Sequence, residues 1–223
     1  MTTRLLLTGD EALPRAALRI HIDSGAGIHV VAEAAGGSQI LQMARAHRTD
    51  VVLMYCQEPD LHALSAIRSD PDLPTTRILL LLTTRPTEER VAQAVRAGVS
   101  GILGQDVSAD SLLTGIRAVA TGDSLLSPAA TRALIKRFLR SRQEETVSPV
   151  PEPLRVLTAR ERQVMTLIAA GKNNAEIASG LAVSPLTVRT HVNRVRTKLG
   201  AQSRTQLVVL AYQHGLVGPA RER

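Results

Sequence analysis

Four cationic side chains fall within ten residues near the carboxyl end of the chain: Arg189, Arg194, Arg196 and Lys198. The uncharged polar residues Thr190 and Asn193 lie among them. Arginine pairs with the edge of guanine, asparagine pairs with the edge of adenine, and cations neutralise phosphates. These residue types at this spacing indicate nucleic-acid recognition. The competing interpretation is the solvated polar face of a structural helix.

A second group of reactive side chains ends an apolar run in the sequence DVVLMYCQEPD. Val51–Met54 predicts a buried strand, and the proline that follows predicts a turn. Tyr55 and Cys56 would then lie at the carboxyl end of that strand, which is where open α/β sheets hold their ligands. A hydroxyl and a thiol are therefore the groups available for chemistry at this point.

The charge is distributed unevenly over the 223 residues, whose net charge is +7. Residues 1–127 carry 11 Lys and Arg against 14 Asp and Glu, residues 128–150 carry 5 against 2, and residues 151–223 carry 11 against 4. A strongly basic carboxyl-terminal part joined to an acidic amino-terminal part predicts that only the basic part meets a polyanion.

Composition argues against several other kinds of protein. Aromatic residues are limited to Tyr55, Phe138 and Tyr212, so stacking platforms for single-stranded nucleic acid are not expected. Cys56 is the single cysteine and the histidines are scattered, which predicts no disulfide, no metal site and no cofactor. No apolar run reaches the roughly 18 residues of a membrane span, and a signal peptide is not evident, so a cytoplasmic protein without membrane contact is expected.

Apolar runs alternate with segments of helical periodicity over residues 1–121. The predicted strands are RLLLTG, IHVVAE, DVVLMY, RILLLLT and GILGQ. The predicted helical segments are Leu13–Ile22, Ile40–Ala46, Leu61–Ile67, Val91–Ala97 and Leu112–Val119. This alternation predicts an α/β domain with a doubly wound, five-stranded parallel sheet and helices on both faces.

The rest of the chain predicts a linker and a small all-α domain. Ser127 and Pro128 begin a basic helix, and EETVSPVPEP has the composition of a linker, so residues 122–153 are expected to join two domains. Residues 154–223 predict four helices. Their predicted caps are Thr158 with a capping box to Glu161, Ser184 and Ser203, with Gly171 and Gly200 as stops.

The second and third of these helices form a helix-turn-helix pattern. The spacing of Val188, Val192, Val195 and Leu199 predicts a buried stripe along the third helix. The opposite face is expected to carry Arg189, Thr190, Asn193, Arg196 and Lys198. A helix with such a face fits the major groove of DNA.

The sequence LTARERQVMTLIAAGKNNAEIASGLAVSPLTVRTHVNRVRTKLGAQSRTQLVVLAYQHGLV contains T-x-R-E, N-x-E-I-A, T-V-[KR]-x-H-V and K-L-G. It resembles the LuxR-type DNA-binding domain of NarL/FixJ response regulators. The resemblance implies that bases in double-stranded DNA are contacted by Arg189, Thr190 and Asn193. It implies that phosphates are held by Ser184, Thr187, Arg194 and Lys198. It also implies a homodimer formed through the last helix, with contacts from Ser203, Leu207, Leu210 and Ala211.

Residues 1–121 resemble, more loosely, the receiver domain that accepts a phosphoryl group from a sensor kinase. The segments that carry this resemblance are DVVLMYCQEPD, AVRAGVSGIL and AIRAVATGDSLLSP. The resemblance places Tyr55 at the position of the phosphoacceptor aspartate. It places Gly9 at one of the two acidic magnesium-binding positions and Gln105 at the position of a lysine.

Two further comparisons complete that site. Ile102 replaces the switch aromatic of receivers, whereas Asp10 and Thr83 match the family. Magnesium commonly needs one or two carboxylates, and acyl-phosphate formation needs a carboxylate nucleophile. A tyrosine hydroxyl is mostly protonated at neutral pH and is a poor nucleophile without an adjacent base. The resemblance therefore implies a degenerate receiver, or pseudo-receiver.

Two roles remain for the altered pocket formed by Gly9, Asp10, Tyr55, Thr83 and Gln105. In the first, the Tyr55 ring fills space and its hydroxyl bonds to Asp10 or Thr83, which locks one conformation. In the second, the pocket binds a small-molecule effector that shifts the conformational equilibrium. Cys56 is interpreted as a small core residue rather than a redox sensor.

These observations predict a sequence-specific transcriptional regulator that is not an enzyme. Its receiver-like domain would work without phosphorylation, either constitutively or under control of a small ligand or partner. The alternative is a conventional phosphorylation-dependent regulator with a non-standard acceptor, for which Glu58 and Asp60 are candidates. A nucleotide-binding enzyme lacks support because no G-x-G-x-x-G, P-loop or catalytic dyad is evident. An interaction module that recruits a partner protein remains a further alternative.

Overall fold

The computed structural model describes residues 2–144, 152–214 and 216 of the chain. The chain divides into two compact units, Met1–Glu144 and Glu145–Arg223, and each has its own apolar core. Most of the segment EETVSPVPEP lies outside the described residues, and so does the linker predicted there.

The first unit is built on a parallel sheet of six strands. The strands are β1 Thr3–Thr8, β2 Ile28–Ala34, β3 Val51–Cys56, β4 Arg77–Leu82, β5 Gly101–Gly104 and β6 Leu125–Leu126. Their order is β2-β1-β3-β4-β5-β6. The chain order reverses between β1 and β3, so the crevice at the carboxyl ends of these two strands is the expected ligand site of such a sheet.

Five helices connect the strands and cover both faces of the sheet. They are α1 Ala12–Asp23, α2 Ser38–His47, α3 Leu61–Ser69, α4 Glu88–Arg96 and α5 Ala109–Ala120. In β1, Leu5 and Leu7 join a core cluster with Ile116 of α5, while Leu6 between them is also fully buried. Burial on both faces explains why the strands are continuous apolar runs without alternation.

The five predicted strands and the doubly wound parallel fold are confirmed, whereas β6 is an additional strand. Leu125 and Leu126 pair in parallel with Gly101 and Ile102 at the edge of the sheet. Two apolar residues are too few to show a period, so only their pairing with β5 identifies them as a strand.

The helix that follows β6, α6 Pro128–Glu144, packs within the first unit. The Ser127 hydroxyl accepts a hydrogen bond from the Ala130 amide at 3.2 Å. Ala130 is fully buried, α6 contacts α4, and Lys136 Nζ lies 3.0 Å from Glu88 Oε1. The helix that the sequence places in the linker is thus attached to the receiver-like unit through its small apolar face.

The second unit is helical. A 3-10 helix, Glu152–Val156, is followed by α7 Ala159–Ala169, α8 Asn174–Leu181, α9 Pro185–Leu199 and α10 Arg204–Gln213. The four α-helices and the helix-turn-helix formed by α8 and α9 agree with the predicted fold class, but the 3-10 helix lies in a segment whose prolines indicate only a linker. No helix in the described part of the chain has both the length and the apolar character needed to cross a membrane.

Candidate nucleic-acid interface and regulatory pocket

The amino-terminal turn of α9 is closed by its own side chains. The Ser184 hydroxyl accepts a hydrogen bond from the Thr187 amide at 3.1 Å, and the two hydroxyl oxygens are 2.9 Å apart. Pro185 occupies the first helical position, where no amide hydrogen is needed. All residues of this turn are exposed, so the partial positive charge of the helix end is accessible to an anion.

One side of α9 is buried and the opposite side is exposed and polar. Val188, Val192 and Val195 face the core of the unit, as predicted. The exposed residues along the helix are Pro185, Leu186, Thr187, Arg189, Thr190, Asn193, Arg194, Thr197 and Lys198. The structure therefore brings together the three expected base-contacting residues and Arg194 on an accessible surface. Leu186 and Thr197 belong to this surface but were not among the predicted residues.

Arg196 does not lie with the other cations. Its guanidinium donates hydrogen bonds to the carbonyl oxygens of Gln202 and Ala201, at 2.6 and 3.4 Å, and its side chain is half-buried. We expected it opposite the valine stripe, but an advance of about 100° per residue places position 196 at the edge of that stripe. Arg196 thus fastens the turn between α9 and α10.

Lys198 lies at the other edge of the stripe and is paired within the unit. Its Nζ is 2.7 Å from Oε2 of Glu161, whose side chain is 4% exposed. Glu161 also forms the predicted capping box of α7, because Oε2 accepts the Thr158 amide at 2.8 Å. The Lys198 ammonium and the Thr158 amide hold the pKa of Glu161 below its ordinary value. Lys198 therefore joins α9 to α7. A DNA phosphate held by Lys198, as expected, would have to share its ammonium with the Glu161 carboxylate.

A buried arginine that the sequence patterns did not reveal fixes the start of α10. Arg204 is 7% exposed and donates to Asn174 Oδ1 at 2.9 Å and to the Lys172 carbonyl. It ties α10 to the turn before α8. No spacing rule identifies such an arginine, because its partners come from a distant part of the chain.

The residues expected to form the dimer through α10 are mostly inside the unit. Ser203, Leu207 and Ala211 are buried, and Leu210 packs half-exposed against the same core. The prediction that Ser203, Leu207 and Ala211 meet a second copy is therefore corrected, because α10 packs them inside its own unit, where it contacts α7. The contact expected from Leu210 stays a prediction. Along α10, Gln213 is exposed, and the half-buried residues are Gln206, Val208, Val209, Leu210 and Tyr212.

In the first unit, Asp10, Tyr55 and Thr83 come together at the carboxyl ends of β1, β3 and β4. They line a cavity of about 260 Å³ together with Glu11, Cys56, Gln57 and Glu58. A second cavity, of about 470 Å³, lies between α1 and the segment that follows β5. Its lining includes Leu18, His21, Tyr55, Thr83, Gln105 and Leu112. Gln105 therefore joins the second cavity, and Tyr55 with Thr83 borders both.

Gly9 lies directly against Tyr55. A Cβ atom on Gly9 would be 3.0 Å from the Tyr55 carbonyl oxygen and 3.2 Å from its Cδ1 atom. Both distances are tighter than ordinary van der Waals contact, so a larger side chain at position 9 would force a shift. The Tyr55 ring also packs against the core cluster beneath the sheet ends. The absence of a side chain at position 9 thus accommodates the tyrosine.

The expected hydrogen bond from the Tyr55 hydroxyl to Asp10 or Thr83 is not formed. The Thr83 hydroxyl oxygen is buried, and it has no hydrogen-bond partner in the part of the chain that the structure describes. The prediction that this bond locks the receiver-like unit is corrected, because the Tyr55 ring is held by packing. The Thr83 hydroxyl is left as a buried polar group that borders both cavities.

The other candidates for chemistry near this pocket already have structural roles. Asp60 caps α3, since its Oδ1 accepts the Ala63 amide at 2.9 Å, and Glu58 forms an ion pair with Arg90. Burial, with a smaller contribution from Asp10, raises the pKa of the Cys56 thiol to about 12. This thiol stays protonated near neutral pH, which disfavours a redox-sensing role.

Comparison with known proteins covers both units. A family model described as bacterial regulatory proteins, luxR family, matches residues 155–211. The transcriptional regulatory protein YxjL of Bacillus subtilis, itself described as uncharacterized, is 36% identical over 215 residues, which cover 96% of this chain and 97% of the relative. The response regulator VraR of Staphylococcus aureus is 31% identical over 218 residues, which cover 97% of this chain and 100% of the relative.

A solved structure has the same fold at lower identity. RcsB from Salmonella enterica serovar Typhimurium, determined bound to a promoter in the presence of the phosphomimetic BeF3−, is 17% identical with a TM-score of 0.54. The match covers 97% of this chain and 100% of RcsB. At this identity the likeness concerns the fold.

Proposed function

Because the chain belongs to the LuxR family of response regulators, which are DNA-binding transcription regulators, we propose that it binds specific duplex DNA as a homodimer without phosphorylation of its receiver-like unit. It acts as a regulator in the cytoplasm and has no enzymatic activity of its own.

The exposed side of α9 carries the proposal for DNA. Arg189 and Asn193 present the side chains that pair with guanine and adenine in the major groove, and both are exposed. Arg194 and the exposed amino-terminal turn that begins at Ser184 belong to the same helix and supply phosphate contacts. The RcsB complex with promoter DNA supports the same use of the shared fold.

The contact between Gly9 and Tyr55 supports phosphorylation independence. Tyr55 stands where the family resemblance places the phosphoacceptor, and its ring occupies the space that a second acidic side chain at position 9 would need. Of the two positions after β1 that the family resemblance assigns to magnesium, only Asp10 then carries a carboxylate, and Gln105 supplies no positive charge to a phosphoryl group. The alternative acceptors Glu58 and Asp60 are engaged in an ion pair and a helix cap.

Control by a small effector is the second candidate for this unit. The 470 Å³ cavity is of a size that accepts a small molecule, and its lining includes the polar residues His21, Tyr55 and Gln105. Constitutive binding to DNA, with the Tyr55 ring filling the former phosphorylation pocket, is the simpler mode because it requires no ligand.

Two surfaces support a homodimer. In the second unit, α10 leaves Gln206, Val209 and Gln213 at least partly accessible. In the first unit, α1 exposes two large apolar side chains, Leu13 at 82% and Ile20 at 75%. Exposed apolar residues that share one helix are a common basis of self-association.

The test is a titration of labelled DNA from the region upstream of the protein's own gene, with magnesium, with and without beryllofluoride. We expect tight, salt-dependent binding that the phosphoryl mimic changes by less than about twofold, within 0.4 kcal/mol. Arg194→Gln is expected to lower the slope of log K against log salt by about 0.9, because one phosphate contact is lost.

Arg85→Gln is the matched control, because it removes the same charge from an exposed site in the first unit. It should leave the salt slope unchanged. Absence of binding by the wild-type protein at low salt would refute the DNA-binding proposal. Binding that tightens more than a few-fold with beryllofluoride would show a working acceptor and refute phosphorylation independence.

A further inference from the structure

Leu186 is the most exposed large apolar residue among the described residues of the second unit, with 72% of its surface accessible. It lies in the first turn of α9, and Thr190 and Asn193 follow at helical spacing on the same side. The other branched apolar residues of this helix are Val188, Val192, Val195 and Leu199, and all are buried or packed against the core. Core packing therefore does not account for Leu186.

The neighbouring Thr190 contributes its methyl group rather than a free donor. Its hydroxyl donates to the Leu186 carbonyl at 3.1 Å, so its hydrogen is directed along the helix. A threonine bonded in this way offers oxygen lone pairs and a methyl group to a partner. Leu186 and Thr190 together make a small apolar patch on a side of the helix that is otherwise polar.

The major groove has one apolar feature that matches such a patch. Each base pair shows hydrogen-bonding atoms there, but only thymine adds a C5-methyl group, which apolar side chains contact. The amino-terminal residues of a recognition helix are the ones that reach base edges. Leu186 is in that part of α9, next to the side chains proposed to contact base edges.

We propose that Leu186, with the methyl group of Thr190, contacts the C5-methyl group of a thymine in each half-site and makes that thymine a specificity determinant. This inference rests on the proposed function, because it requires α9 to lie in the major groove. It names the base feature that Arg189 and Asn193 do not read. The bound site is therefore expected to contain thymine beside the positions contacted by these two residues.

Deoxyuridine provides a direct test, because it lacks only the methyl group of thymine. The site would first be mapped by protection with the full-length protein on DNA from its own upstream region. Each thymine in that site would then be replaced singly by deoxyuridine, and affinities measured for wild type, Leu186→Ala and Thr190→Val. Burial of one methyl group stabilises a contact by about 0.8 kcal/mol. The wild type should therefore lose about three- to fivefold in affinity at one or two positions per half-site.

The variants locate the contact. Leu186→Ala should bind thymine-containing DNA more weakly and lose the discrimination against deoxyuridine at those positions. Thr190→Val keeps the methyl group and removes the hydroxyl, so it should retain the discrimination. Val156→Ala is the matched control, because Val156 is 53% exposed in the same unit but outside the helix-turn-helix. It should behave as the wild type.

Three results would overturn the inference. One is a wild-type affinity that no deoxyuridine replacement changes. Another is a Leu186→Ala variant that discriminates as well as the wild type. The third is the absence of any protected site, which would refute the proposed DNA binding as well, and so differs from the first two.

Discussion

At the scale of single residues, Gly9 and Tyr55 are coupled by their contact. A methyl group on Gly9 would press on the Tyr55 carbonyl and ring, although the backbone at position 9 needs no positive φ. We expect Gly9→Ala to destabilise the first unit by about 1–3 kcal/mol through overpacking. The free energy of unfolding would be measured by urea denaturation followed by far-UV circular dichroism.

A double-mutant cycle with Tyr55→Ala isolates the contribution of the ring. The cost of Gly9→Ala should fall by about 1 kcal/mol in the Tyr55→Ala protein, and part should remain because the carbonyl contact persists. Equal costs in both proteins would show that the ring and position 9 are independent. In that case the steric argument for a retired phosphorylation site would lose its support.

At the scale of elements, α7 and α9 are joined by the pair of Glu161 and Lys198. The pKa of Glu161 is lowered in the folded protein from its ordinary value of 4.5. A carboxyl group with a lowered folded pKa contributes stability that is present above the unfolded pKa and is lost as pH falls through the folded pKa. The second unit should therefore lose stability below about pH 4.5, as this carboxylate becomes protonated.

Lys198→Gln should raise the folded pKa of Glu161 toward its unfolded value, because the ammonium that favours the charged carboxylate is gone. The stability that depends on this carboxylate should then be smaller, and its loss should be complete at a higher pH. The buried Glu161 would also lose a charged partner, which we expect to cost about 1–3 kcal/mol at neutral pH. Tyr212 fluorescence in a Tyr55→Phe background reports unfolding of the second unit alone, since Tyr55 and Tyr212 are the two tyrosines. An unchanged acid midpoint in Lys198→Gln would contradict this role of the pair.

Elements were more predictable than the roles of residues at their edges. Strands buried on both faces and helices with polar caps follow local rules, so their types could be read from the sequence, as could the capped starts of α7, α9 and α10. The ends of the helices in the first unit differ from the predicted segments by up to three residues. Arg196 was misplaced because it lies at a boundary of the buried stripe, where carbonyl partners beyond the helix decide its direction. Lys198 is exposed as predicted, but its ion pair with Glu161 could not be read from the sequence because that partner lies on another element. The burial of Leu207 and Ala211 likewise depends on α7, which packs against α10.

The membership of the candidate pocket was predictable in part, since Gln105 lines the neighbouring cavity, and its contacts were not predictable. The carboxyl ends of parallel strands meet at one edge, so Asp10, Tyr55 and Thr83 were expected together. Their hydrogen bonds depend on positions of less than an ångström, which a sequence pattern does not contain. The same limit applies to the contact between Gly9 and Tyr55, which required atomic positions.

At the scale of the whole molecule, two exposed surfaces offer self-association, and they predict different effects. The α1 surface with Leu13 and Ile20 is apolar, so it should support association of the free protein. On α10, Gln213 is exposed while Gln206 and Val209 are half-buried, and a contact through so little accessible surface is weak without DNA. It should matter when two copies are held on adjacent half-sites.

Charge insertions separate these two surfaces. The double variant Leu13→Glu and Ile20→Glu should lower the association constant of the free protein at least tenfold. This constant would be measured by sedimentation equilibrium. Val209→Glu should leave that constant within about twofold and instead reduce cooperative binding to DNA with two half-sites, because each charge would have to be desolvated at the contact. Val156→Glu, at an exposed position outside both surfaces, should change neither measurement. If Val209→Glu abolished the free dimer while the α1 variant kept it, α10 would be the main dimer contact in solution, and the apolar surface of α1 would need another partner.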